Sequence, residues 1–206
     1  MAIRTSWMQK DNKEGIDLNN VVVTVDSSTP EYPGAPFELG ERVQGSNGSE
    51  WLFCIASATV TAFNMVAINK NFGAVNITTA VQASNIYTFG FVQCQGLVST
   101  DGSLNNVQPG QRFWAMMKVA QGARCNINAS ISVAVGAKLY VDGTTPGFLT
   151  TSTTTSNSAT LQIVGLFIAA SATNGASVGQ AFTVGEMGMY SYPYPAVLVS
   201  AQAASV

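Results

Sequence analysis

The chain has 206 residues, with 9 Lys and Arg against 11 Asp and Glu, no His, and a formal net charge of −2. Only 10% of residues are charged, where about 25% is usual, while 47% are hydrophobic, so a core can form without disulfide staples. The lack of His excludes Ser-His-Asp and Cys-His nucleophilic sites, HExxH zinc sites and imidazole proton shuttles, and the few scattered cations leave no electrostatic footprint for nucleic acid.

The charge is unevenly spread. Residues 1–50 hold 12 of the 20 charges, whereas Glu186 is the single charge between Gly143 and Val206. Such a neutral stretch is either a Ser/Thr/Asn/Gln surface or a surface covered in an assembly, because interface cores are depleted in charge.

Residues 1–36 read as an extended N-terminal arm. Met1–Asn19 has no continuous apolar run of the kind a signal peptide needs. Val21–Val25 is a short strand candidate. Pro30, Pro33 and Pro36 then fix φ and bias their predecessors to extended geometry, which excludes helix. Trp7, Tyr32 and Phe37 are costly to leave in water, so the arm is expected to dock on something.

From Phe37 to Val206 the chain reads as β. Asn47-Gly48 is a hairpin turn signal. Trp51–Ile68 is a long β-prone run that includes Thr59–Phe63. Asn69–Gly73 is a turn, and Asn76–Val81 and Ile86–Val92 are further strand candidates. Asp101-Gly102 and Pro109-Gly110 mark turns near a possible division into two small β subdomains at 100–112. The aromatic content of Phe113–Val119 favours strand over helix. Asn126–Val135 alternates, with Ile127, Ala129, Ile131, Val133 and Val135 on one face and Asn126, Asn128, Ser130 and Ser132 on the other. Lys138–Val141 continues to the Asp142-Gly143 turn. Thr150–Ser158 is a polar loop, and Leu161–Ala170 an apolar strand with Gly165 at a bulge or close approach. Asn174-Gly175 is a turn, and Gln180–Val184 and Ala196–Val199 are strands. No segment sustains a 3.6-residue period. The expected class is all-β, a β-sandwich, jelly roll or barrel-like domain with an extended arm.

No stretch is apolar for the roughly 20 residues of a membrane helix. Cys54, Cys94 and Cys125 are odd in number and far apart, without a CxxC pair, and are expected to be free, buried thiols. Asp101 and Asp142 each precede Gly and read as turn formers. Glu186 is isolated and could pair with Arg112, Lys118, Arg124 or Lys138. The spacing of Asp11, Glu14 and Asp17 does not fit a calcium loop. No catalytic, cofactor or metal site is expected, and the chain is not expected to be an enzyme. Candidate partner contacts are the aromatic and proline residues at the two ends: Trp7, Tyr32, Pro33, Phe37, Tyr192 and Tyr194.

Residues 130–151 run strand, turn, strand as Val135-Gly136-Ala137-Lys138-Leu139-Tyr140-Val141-Asp142, then Pro146-Gly147-Phe148-Leu149-Thr150-Thr151. A Thr/Ser loop and Ile163-Val164-Gly165-Leu166-Phe167-Ile168-Ala169-Ala170 follow. This cadence, across roughly residues 130–185, resembles the small head decoration (cement) proteins of tailed bacteriophages. Lys138 stands where that family commonly has an acid. The resemblance implies a virion protein on the capsid exterior, made in the host cytoplasm. It implies a homotrimer that clamps neighbouring copies of the major capsid protein, with no cofactor, nucleic acid or membrane partner. Other readings are a tail, fibre or neck component, and a carbohydrate-binding β-sandwich with Trp51, Trp114, Tyr87 and Tyr140 on an exposed face.

Overall fold

The computed structural model describes residues 18, 37–45, 48–80, 86–93, 106–118, 123–128, 136, 138–150, 161–170, 183–189 and 196–199. Among them there are twelve β-strands and no α-helix. The protein is all-β, and both of its sheets close into five-stranded barrels.

The first sheet contains β1 (Arg42–Gln44), β2 (Glu50–Ala56), β3 (Met65–Asn69), β4 (Gly73–Asn76), β5 (Ile86–Val92) and β6 (Arg112–Lys118). Its order is β1-β2-β4-β3-β5-β6, and β6 pairs back onto β2 to close the ring. β2 runs parallel to β4, and every other neighbour is antiparallel. β1 extends one side of β2 ahead of β4, with Val43 opposite Trp51.

β2, β3 and β6 do not alternate apolar with polar, because both of their faces are buried. Leu52, Cys54, Ala56, Val66, Ile68, Ala74, Val92, Phe113, Ala115 and Met117 converge from all five strands to fill the interior. The ring is narrow, which suits the small Ala and Cys side chains among them. The opposite face sends Trp51, Phe53, Met65, Phe91, Trp114 and Met116 outward into a second cluster. That cluster runs without a break into Cys125, Ile127, Leu139, Val141, Leu149 and Ile163 of the second barrel.

The second sheet contains β7 (Arg124–Ile127), β8 (Lys138–Val141), β9 (Leu149–Thr150), β10 (Leu161–Ala170), β11 (Thr183–Met189) and β12 (Ala196–Val199). Its order is β11-β7-β9-β8-β10-β12, closed by β10 against β11. Taken in chain order, the five ring strands of each barrel are connected identically. The first lies parallel to the third, β2 to β4 and β7 to β9. The third pairs the second, the second the fourth, the fourth the fifth and the fifth the first, all antiparallel. The chain is therefore a tandem topological repeat. Register makes Ala56 equivalent to Ile127 and Ala74 to Leu149, which also puts Cys54 and Cys125 at one position. β10 shifts register between Ile163 and Phe167, the bulge expected around Gly165.

Several expectations change. Thr59–Phe63 is not a strand. Val60 makes an isolated bridge to Val107, and the chain turns at Phe63 with φ 65. The turn frees main-chain groups of Phe63 to bond Val92 and Asn126. β4 ends at Asn76, where a strand was expected to begin, because the Asn69 side chain closes the preceding turn early. Its Oδ1 accepts from the N–H groups of Asn71 at 2.8 Å and Gly73 at 3.0 Å. Asn126 does not face solvent but is fully buried. The passage between sheets lies between Lys118 and Arg124, beyond the 100–112 stretch, because β6 is needed to close the first ring. Leu18, within the expected arm, is buried in the cluster between the barrels. The Val21–Val25 candidate, the rest of the Asn126–Val135 alternation beyond Asn128, and the Asp101 and Asn174 turns lie outside the described residues.

Two glycines are held by close approach as well as by conformation. Gly40 has φ +89, and a Cβ there would lie 2.3 Å from the Phe72 ring. Gly147 has φ +84, and its Cβ would lie 2.3 Å from Asn64 Nδ2. Gly110 has the same φ of +84 with nothing within 4 Å. Chemical denaturation should therefore show Gly147→Ala and Gly40→Ala losing about 3 kcal/mol each, left-handed strain plus a clash, and Gly110→Ala losing only about 1 kcal/mol. Equal losses at all three would mean the close approaches carry no cost.

Candidate interaction surface and the seam between the barrels

The first ring strand of each barrel is longer than the parallel strand beside it. Main-chain groups ahead of that parallel pairing need other partners. In the first barrel the chain entering β1 supplies them: Phe53 N–H donates to Glu41 O at 2.8 Å, and Gly40 N–H donates to Phe53 O at 2.8 Å. Arg124 is the equivalent of Phe53. Here one side chain replaces the missing strand. Arg124 N–H donates to Gln93 Oε1 at 3.0 Å, and Gln93 Nε2 donates to Arg124 O at 2.8 Å. Gln93 follows β5 directly, so the first barrel completes the second.

The seam continues through buried amides. Asn126 Nδ2 donates to Ala62 O at 2.8 Å and to Asn64 Oδ1 at 2.7 Å. Asn64 Nδ2 donates to Asn76 Oδ1 at 3.0 Å, and Asn76 Nδ2 to Thr59 O at 3.1 Å. Main-chain bonds cross beside them: Asn126 N–H to Phe63 O, Met65 N–H to Gly147 O, and Gly147 N–H to Ile77 O. The Arg124 guanidinium lies 5.7 Å from the Phe63 ring centroid, a cation–π contact over the strained turn. Glu186, expected to find a cation, stands opposite Arg124 in the β7–β11 register.

The turns after β3 and β8 are built alike. Asp142 occupies the place of Asn69, and its Oδ1 accepts from the N–H groups of Thr144 at 2.7 Å and Thr145 at 2.8 Å. Thr144 Oγ1 and Asn128 Nδ2 also donate to the carboxylate. Burial pushes the Asp142 carboxyl up, but these four hydrogen bonds outweigh it and leave it below its ordinary value, as stabilisation of the charged form requires. Cys54 and Cys125 are buried and in no disulfide, and the Cys54 thiol donates to Phe113 O at 3.5 Å. Burial pushes the Cys125 thiol up to about 12, so it is held as an inert thiol. Among the described residues no group of three or more His, Cys, Asp and Glu side chains could hold a metal ion.

One end of the first barrel gathers exposed, uncharged residues. Ser57, Ala58 and Thr59 follow β2, and Gln108, Pro109 and Gly110 precede β6; all six are exposed. The Val60–Val107 bridge and the bond from Gly110 N–H to Ala56 O, at 2.8 Å, hold the two loops side by side. No large hydrophobic side chain contributes. Among the described residues Val75 is the exposed large apolar one.

The residues expected to meet a partner fall unevenly. Trp7, Tyr32, Pro33, Tyr192 and Tyr194 lie outside the described residues. Phe37 packs edge-on against Phe53 at 5.4 Å and Trp114 at 5.2 Å between ring centroids, so part of its surface is spent inside this molecule. Trp51 and Trp114 are fully buried, which removes them from any exposed carbohydrate-binding face. Gln93, Asn64 and Asn126 carry the seam, and only their polarity within apolar runs marks them in the sequence. No protein-family model matches the chain, and no curated protein matches it at significant similarity.

Two predictions test this seam and its turns. Gln93→Leu keeps size and burial but leaves the Arg124 N–H and C=O without partners. It should cost about 2–3 kcal/mol in urea unfolding and speed amide exchange at Arg124; an unchanged unfolding midpoint would refute the strand-mimic role. Asp142→Asn converts the second turn to the chemistry of Asn69. The Asp142 contribution is fully present above the ordinary aspartate value and is lost as pH falls through the lower folded value. Wild type should therefore lose more stability than Asp142→Asn between about pH 5 and about pH 2, and parallel curves would contradict the assignment.

Proposed function

We propose that the chain is a structural protein of a bacteriophage virion, bound as a homotrimer to the outer surface of the assembled capsid. It contacts the major capsid protein and holds neighbouring shell subunits together. The observation that carries this reading is the uncharged surface. Exposed Ser57, Ala58, Thr59, Gln108, Pro109 and Gly110 form a neutral end on the first barrel, and a single charge occurs after Asp142. Charge-depleted surfaces suit contact faces. The decoration-protein cadence at residues 130–185 supports the same reading. The rigid, doubly buried barrel walls support a passive clamp over chemistry.

The mechanism is mass action. A protein that binds the assembled lattice and not free shell subunits stabilises the lattice in proportion to the logarithm of its concentration over its dissociation constant. Repetition over the shell adds multivalency without strong individual contacts. Neutral loops that pack small side chains against a partner lose little to desolvation.

Quantitative protein analysis of purified particles tests the role directly. A lattice role requires hundreds of copies in fixed ratio to the shell protein, whereas a handful would move the chain to the tail or neck. Ala58→Glu and Gln108→Glu, both at exposed positions, should change folding stability by less than about 0.5 kcal/mol. Together they should lower capsid occupancy at least about tenfold, the equivalent of 1.4 kcal/mol. Full occupancy by the double variant would remove this end of the barrel from the contact.

A further inference from the structure

Three asparagines join the seam to the exposed end of the first barrel. Asn126 of β7 donates from Nδ2 to Asn64 Oδ1 at 2.7 Å. Asn64 donates from Nδ2 to Asn76 Oδ1 at 3.0 Å. Asn76, the last residue of β4, donates from Nδ2 to Thr59 O at 3.1 Å. The sense of this chain is fixed. The main-chain oxygens of Thr59 and Ala62 can only accept, so each meets an Nδ2, that of Asn76 and that of Asn126. Asn64 then fits between them one way round. All three amides donate in one direction, from the second barrel toward the loop after β2, an alignment in which each bond polarises the next.

The second barrel also confines the middle amide. Asn64 is buried, and its Nδ2 has a second acceptor in Pro146 O at 3.4 Å. It lies against Gly147, where a Cβ would come within 2.3 Å of it. Asn126 is fully buried, and its Oδ1 has no hydrogen-bond partner among the described residues. An unmet buried acceptor carries a cost. What an amide gains here therefore comes from its Nδ2, both of whose bonds end at residues 62–64 of the first barrel. At the far end, Thr59 closes the exposed loop of residues 57–59, whose start is tied by Ser57 N–H to Ala74 O at 2.9 Å. Val60, next in the chain, bridges Val107 and so holds residues 108–110 beside it.

We propose that Asn126, acting through Asn64 and Asn76, is a positioning residue for the neutral end of the first barrel. The second barrel thereby sets where Thr59 stands, and with it the face offered to the shell protein. The inference rests on the reading of that end as the capsid contact, and adds that the contact is set from the other barrel. A loop of small side chains has no long group with which to correct a misplaced main chain, so its fit depends on where the backbone is held. Holding it before the partner arrives lowers the ordering cost of binding. The two barrels then divide the work: the first carries exposed residues 57–59 and 108–110, and the second fixes their placement through one buried amide.

Three variants of the full-length protein decide it. Asn126→Leu keeps size and burial and removes the head of the amide chain. The carbonyl carbon resonance of Thr59 should move from its wild-type position, and occupancy on purified particles should fall at least about fivefold, the low end of coupling between sites. Asn76→Ala cuts the last link at a half-buried position. It should reproduce both changes, which keeps the test open if Asn126→Leu does not fold. Gln93→Leu weakens the same seam without entering the chain, and should leave the Thr59 resonance and the occupancy at wild-type values. An unmoved Thr59 resonance in Asn126→Leu would overturn the proposal whatever the occupancy. An equal fall in occupancy for Gln93→Leu would overturn it in favour of general destabilisation. Full occupancy of Asn126→Leu and Asn76→Ala, beside a loss in the Ala58→Glu, Gln108→Glu double variant, would overturn it and leave the contact standing. Full occupancy of all three together would overturn the contact reading as well.

Discussion

Each barrel begins with a strand whose main chain outruns its parallel neighbour, and the structure is organised around satisfying what is left over. A buried N–H or C=O without a partner costs about 1–3 kcal/mol, so the groups at Phe53 and Arg124 cannot be ignored. The first barrel meets the demand locally, with Glu41 and Gly40. Among the described residues the second barrel has no such strand, and it borrows the Gln93 amide, which offers one acceptor and one donor in the spacing of a peptide group. The second barrel is thereby incomplete without the first. The shared apolar cluster points the same way, since Cys125, Ile127 and Leu139 continue into Trp51, Phe53 and Trp114. Two topological repeats thus become one cooperative unit, with the seam as its most constrained part. Phe63, in the left-handed region, is held there by bonds to both barrels.

This packing has a consequence for function. Strands with two buried faces spend their large aromatics on cohesion. Trp51 donates through Nε1 to Ser49 Oγ at 2.9 Å, and Trp114 sits against Phe37 and Phe53. Neither remains for a sugar or a peptide. In the capsid-binding role we propose, contact falls to loops, which at the Ser57–Thr59 and Gln108–Gly110 end are small, exposed and neutral. A surface of this kind gains little from any single contact. It suits a partner that presents the same site many times, which is the condition a capsid lattice meets.

Local pattern made much of the fold readable. Ile86–Val92 is β5 to the residue, because β-branched and aromatic runs bounded by turn residues admit few alternatives, whereas Lys138–Val141, read as the continuation of the Asn126–Val135 strand, is a separate strand, β8, that does not neighbour β7. The turn at Asn69 was readable, but its tightness was not; one side-chain oxygen capping two amides moved β4 forward by three residues. Thr59–Phe63 has strand composition, yet tertiary bonding made it a turn, since the seam needs the Phe63 main chain more than the ladder does. Asn126 sits in a clean alternation that places it outside, and the barrel contact buries it. In each case the deciding partner lies far along the chain, Asn126 being bonded 62 and 64 residues away.

The repeat is hidden in the sequence for the same reason. Its equivalences preserve roles more than residues. Asn69 and Asp142 each lend one oxygen to two turn amides, and either chemistry serves. Ala56 and Ala74 become the larger Ile127 and Leu149, which join the apolar cluster shared by the two barrels. Cys54 and Cys125 coincide because a small apolar group fits at the same depth of both rings. The position asks for size and burial, which leave only a weak trace in a single sequence. A five-stranded ring imposes few identities, so a chain can repeat its architecture with little repetition of sequence. The two repeats are then free to differ at their outer loops, while the barrel walls stay fixed by the same hydrogen-bond accounting.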